Sequence, residues 1–114
     1  YAAARRHPGV PIVLYHMGVF GPHRSTIDVV GEALRTGDAD LYLGTAQADP
    51  AEVLTAVEEL GSERVLFGSD AAFFGSRHYE EYEAMIDTLA VSLPPDKFRN
   101  VVRDNAIRVF NLSP

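Results

Sequence analysis

Residues Arg64-Val65-Leu66-Phe67-Gly68-Ser69-Asp70 constrain this chain more than any others, because an apolar run breaks off abruptly on Gly-Ser-Asp. A continuous Val/Leu/Phe run suits a parallel strand covered by helices, and the carboxyl ends of such strands are where α/β folds keep their ligand chemistry. Asp70 is therefore expected where a metal or a substrate would sit. The apolar stretch from Pro11 to Tyr15 ends in the same way on His16. Right-handed βα connections would then turn a histidine and an aspartate toward one end of one sheet.

The rest of the chain supports a repeated βα rhythm. Strands are expected over residues 12–15, 41–43 and 65–67. A helix beginning at Ser25, where Ser25-Thr26-Ile27-Asp28 has the form of a capping-box variant, would bury Ile27, Val30, Ala33 and Leu34 and stop at Gly37. Asp49-Pro50-Ala51-Glu52 reads as an N-cap, a proline at the first helical position and an early acidic residue, followed by a stripe of Val53, Leu54, Val57 and Leu60 that ends at Gly61. After a loop over residues 70–75, a third helix over 78–90 carries Tyr82, Met85, Ile86 and Leu89 on its inner face. Leu93-Pro94-Pro95 interrupts the chain, and short helices over 97–102 and 105–112 close it.

With 114 residues, 46% of them hydrophobic, the chain has the size of one domain, and no run is long enough to span a bilayer. It has no cysteine, so a metal site must be built from His, Asp or Glu. A net charge of −6, with scattered Lys and Arg, argues against a nucleic-acid footprint. A small-molecule substrate is the expected partner, with neither nucleic acid nor membrane. The chain opens without Met and inside a helical-looking segment, Tyr1-Ala2-Ala3-Ala4-Arg5-Arg6, and is read as a C-terminal piece of a longer protein. No signal peptide can be read from such a start; a cytoplasmic location is the expectation, and a homo-oligomeric parent remains open.

Each candidate residue has a plainer role to set beside the chemical one. Asp70 can simply cap the turn that follows it, but a carboxylate directly after a buried strand needs a hydrogen bond, an ion pair or a metal, which favours function. His16 alone can be structural; beside Asp70, imidazole and carboxylate at neighbouring strand ends are the ingredients of a hard-cation or zinc hydrolytic site. His23 would overhang the same face, where a solvated loop position is the favoured reading over substrate contact. His7 lies on the side feeding the first strand and is set aside, and His78 is assigned to the surface. Glu80, Glu81 and Glu83 read as a solvated helix face near an N-terminus. No phosphate loop, Gly-x-Ser-x-Gly elbow or HExxH helix is present.

Taken together, Ala4-Arg5-Arg6-His7-Pro8, Ile12-Val13-Leu14-Tyr15-His16-Met17-Gly18, the Phe67-Gly68-Ser69-Asp70 strand end with Phe73, and Asn105-Ala106-Ile107-Arg108-Val109-Phe110-Asn111-Leu112 resemble the C-terminal part of the amidohydrolase-related family, amidohydrolase family 2. These are metal-dependent hydrolases and decarboxylases on a (β/α)8 TIM barrel. The resemblance implies that residues 1–114 are a partial barrel domain holding about strands six to eight with their helices. It implies that Asp70 follows the last strand as metal ligand and proton acceptor, and that His16 is the sixth-strand histidine that orients or deprotonates the metal-bound water, or ligates the metal as in some relatives. The other ligands would lie upstream of Tyr1, so these residues alone are expected to be inactive. The cofactor implied is a divalent ion, zinc first and manganese second. The sequence departs from the family pattern at Ala72, where proline is common, and at Asp104, where glycine is usual. Two rivals remain: a non-catalytic α/β binding module with Asp70 as a structural cap, and a TatD-like metal-dependent nuclease.

Overall fold

A computed structural model of the chain describes residues 1–18, 21–70 and 78–114, with His78 described for its backbone alone. Ala72, Phe73 and the rest of the loop expected after Asp70 lie outside the described residues. The elements in order are α1 (Ala2–Arg5), β1 (Ile12–Leu14), α2 (Arg24–Thr36), β2 (Leu41–Gly44), α3 (Pro50–Leu60), β3 (Val65–Leu66), α4 (His78–Ser92), α5 (Pro95–Arg99) and α6 (Asn105–Val109), with a π-helical turn, Asn100–Asp104, joining the last two.

The three strands form one parallel sheet in the order β1-β2-β3, with Ile12 opposite Leu41, Leu14 opposite Leu43, and Leu43 opposite Val65. Side chains alternate across such a sheet. Ile12, Leu14, Leu41, Leu43, Val65 and Phe67 join one apolar core with Val30, Val53, Val57, Leu89 and Val101 from the helices and the π-helical turn. Tyr42 and Leu66 are buried but stand outside that core. The Arg64 guanidinium lies 4.6 Å from the centre of the Tyr42 ring while ion-pairing with Asp40 at 2.6 Å. Because all three strands run parallel, their carboxyl ends lie at the same edge of the sheet, which is what places the site.

Local signals set most boundaries. Asp49 caps α3 by accepting from the Ala51 amide at 2.8 Å, and Gly37 ends α2 in the left-handed conformation, φ 69°. The capping box expected at Ser25 is not used. The helix starts one residue earlier, at Arg24, and the His23 carbonyl receives the Thr26 and Ile27 amides, while Asp28 turns to Arg24 instead. Leu34, expected on the buried stripe, is 38% exposed; Ile27, Val30 and Ala33 cover the core without it.

The outer edge of β3 is occupied by the C-terminal segment. The Phe67 amide donates to the Val101 carbonyl at 2.9 Å, and the Asn105 side chain donates to the carbonyls of Ser62 and Val65 at 2.6 and 2.7 Å. Asn105 is fully buried, and its own carbonyl oxygen accepts from Arg108 at 3.0 Å. A strand edge left unpaired carries unsatisfied amides and carbonyls; here an asparagine amide and a π-helical carbonyl satisfy them.

Candidate functional site

All three strands stop at one end of the sheet, and each stop is marked by backbone that non-glycine residues seldom adopt. After β1 the turn Tyr15–Gly18 holds His16 and Met17 at φ 52° and 46°, after β2 Gln47 stands at φ 58°, and after β3 Asp70 stands at φ 57°. Positive φ costs about 1 kcal/mol or more per residue, and such positions gather at functional sites. Gly18, at φ 88°, has to be glycine for a second reason: a Cβ there would lie 2.6 Å from the Thr26 methyl.

The structure brings His16 and Asp70 together. Nε2 of His16 lies 3.8 Å from Oδ2 of Asp70, both side chains partly exposed. Nδ1 of His16 is 3.0 Å from the Ala46 carbonyl oxygen. A carbonyl only accepts, so Nδ1 carries the proton and Nε2 is the nitrogen turned toward Asp70. An imidazole lone pair and a carboxylate facing each other are two Lewis bases, an arrangement that suits a shared proton or a cation.

The end of β2 serves both partners. Thr45 is 1% exposed, and its hydroxyl lies 3.2 Å from the Gly68 amide and 3.4 Å from the Gly68 carbonyl, accepting from the first and donating to the second. Its own amide donates to Leu66 at 3.0 Å. Ala46, the next residue, receives His16. Tyr82 from α4 donates its hydroxyl to the Ser69 carbonyl, so the residues leading to Asp70 are held from two sides. Beside them opens a cleft of about 820 Å³, walled by Thr45, Gln47, Phe67, Tyr82 and Met85 with Glu81 at its margin. Phe67 and Tyr82 meet edge to face, ring centres 6.3 Å apart.

The other histidines stand elsewhere. His23 is not a solvated loop residue: it is 3% exposed, with Nε2 3.3 Å from Glu52 and its backbone amide donating to the same carboxylate. Its buried Nδ1 has no hydrogen-bond partner among the described residues. His7 is exposed ahead of β1, and α4 begins at His78. Of the acidic trio on α4, Glu81 is exposed and lines the cleft. The residues that sequence reasoning passed over are Thr45 and Tyr82. Their only signal was position: Thr45 directly follows a buried strand, as Asp70 and His16 nearly do, and Tyr82 lies on the inner stripe of α4.

A family model for amidohydrolases matches residues 1–112. The chain belongs to the amidohydrolase family. No curated protein and no solved structure matched the chain. Membership gives this amidohydrolase an enzyme role of the hydrolase or lyase type, in a family whose proteins are generally metal-dependent. Among the described residues no group of three or more His, Cys, Asp or Glu side chains gathers as a metal cluster. His16 and Asp70 are nonetheless donors of the kind such ions take, and their 3.8 Å separation lies within twice a zinc–ligand distance of about 2.1 Å. The Asp70 carboxylate fits one corner of a metal site, with the His16 imidazole beside it. No helix among the described residues is long and apolar enough to cross a membrane.

Proposed function

We propose that the protein is a metal-dependent hydrolase or carboxy-lyase acting on a small, carboxylate-bearing organic substrate, with His16 and Asp70 as its reacting pair. The observation that carries this reading is the convergence of His16 Nε2 and Asp70 Oδ2 at the ends of β1 and β3. In this reading β1, β2 and β3 are the sixth, seventh and eighth strands of a (β/α)8 barrel, residues 1–114 are part of that domain, and the remaining metal ligands come from its other strands.

Asp70 would hold the ion through its carboxylate, and a bound zinc or manganese ion would supply Lewis acidity toward the substrate and lower the pKa of a water. His16 keeps its Nδ1 proton on Ala46 throughout, so Nε2 is the atom that orients the attacking water and takes its proton. Asp70 lies within reach to accept that proton and return it to the leaving group. The cleft beside Gly68, apolar at Phe67 and Met85, would exclude water from one side of the substrate.

The test is chelation and reconstitution of the full barrel, assayed for hydrolysis and for carbon dioxide release over a panel of small carboxylic acids, lactones and amides. The expected result is turnover lost on chelation, restored by zinc or manganese, and nearly absent in Asp70→Asn. Wild-type turnover by Asp70→Asn in metal-supplemented buffer would make the carboxylate a cap and end the proposal.

A further inference from the structure

We infer that Thr45 is a positioning residue: by latching Gly68 to the end of β2 while the adjoining Ala46 carbonyl orients His16, it sets how far Asp70 stands from the imidazole. The inference rests on the reading of His16 and Asp70 as the reacting pair.

The reasoning begins with what each partner lacks. Asp70 comes four residues after the last paired residue of β3, beyond Gly68, which as glycine has no side chain to anchor it, and it stands at φ 57°. A segment with such freedom needs an outside tether to hold a carboxylate at a defined distance. The described residues supply that tether through the Thr45 hydroxyl, which bonds both polar groups of the Gly68 backbone. His16 also sits in a left-handed turn, and its ring is tied to the residue after Thr45. Two successive residues of one segment therefore hold the two halves of the pair, one through a side chain and one through a carbonyl. Thr45 is itself 1% exposed, and its amide is tied to the Leu66 carbonyl. Groups that hydrogen-bond metal ligands directly cost about 10- to 100-fold in metal affinity when removed, and Thr45 acts one step further out, through the Gly68 backbone.

The experiment is a zinc chloride titration of the metal-free full barrel, followed through the ring nitrogens of His16 in two-dimensional NMR spectra, with thermal melts of each variant. Thr45→Val keeps the shape and removes the hydroxyl; Thr45→Ser keeps the hydroxyl. The expected result is that zinc shifts the His16 Nε2 signal with the same midpoint in wild type and Thr45→Ser, and at about tenfold or more higher zinc in Thr45→Val, all three melting cooperatively. If Thr45→Val does not fold, Thr45→Ala takes its place; failure of both to fold makes Thr45 a folding residue and overturns the inference. A Thr45→Val midpoint equal to wild type overturns it alone, provided Asp70→Asn still weakens zinc. If zinc leaves the His16 signals unmoved in wild type, or Asp70→Asn titrates as wild type does, the pair itself is wrong and the inference falls with it.

Discussion

The hydrogen bond from His16 Nδ1 to the Ala46 carbonyl, 3.0 Å long, decides which imidazole nitrogen faces Asp70. It makes the expected neutral tautomer the Nδ1–H form, the less common one for a solvated imidazole. Long-range proton–nitrogen NMR correlations of the four histidines, assigned with His16→Gln, should find His16 protonated at Nδ1. An Nε2–H tautomer would mean that Ala46 does not orient the ring.

Asn105 is the residue whose loss should harm the fold most for its size. Asn105→Ala strips the donors from two carbonyls at the base of β3 and leaves the Arg108 guanidinium without its acceptor there. Unsatisfied buried polar groups cost about 1–3 kcal/mol each, so a loss of about 3 kcal/mol is expected from denaturant unfolding. Asn105→Asp, which turns an acceptor toward the same two carbonyls, should be at least as damaging. A loss comparable to that of an exposed-site replacement would show that the C-terminal segment does not hold β3.

Charge pairs on the surface should matter little, and only above the acid range. Hydrogen bonding from Arg24 holds the Glu59 carboxyl below its ordinary value. A carboxyl lowered in the folded state contributes stability above its unfolded pKa and loses it as pH falls through the folded one. Glu59→Gln should therefore lower the thermal midpoint slightly at neutral pH, less in high salt, and not at all in strong acid. A deficit that persisted in strong acid would contradict this assignment.

The two edges of the sheet should behave differently in solution. The outer edge of β3 is satisfied by Val101 and Asn105, whereas β1 pairs only with β2 among the described residues, with Tyr15 beside it 63% exposed. Unpaired strand edges recruit other strands. Gel filtration of residues 1–114 should show association that rises with concentration, and Val13→Lys on β1 should suppress it. A monomer at every concentration would mean that this edge needs no partner.

Much of the fold was legible because its signals are local. Asp49-Pro50 starts α3, Gly37 ends α2, and the apolar runs at Ile12, Leu41 and Val65 became the three strands. His16 and Asp70 could be named because each follows such a run. What was not legible depends on partners far along the chain. Buried His23 pairs with Glu52, 29 positions away, and Thr45 acts on Gly68, 23 away, through a hydroxyl whose type carries no signal. The start of α2 shifted from Ser25 because the His23 carbonyl already receives the first amides. Nothing in the pattern of residues 65–67 announced that Asn105 would take the edge of β3; the Asn-Ala segment stood out only by its resemblance to the family.

The central claim is that Asp70 holds a divalent ion beside His16, and the most direct measurement is the metal content of the purified full barrel by mass spectrometry, with Asp70→Asn and His16→Ala alongside. About one zinc or manganese ion per chain is expected in the wild type, with at least a tenfold loss in Asp70→Asn and a smaller loss in His16→Ala, whose imidazole acts mainly on the reacting water. Equal metal content in wild type and Asp70→Asn would contradict the account.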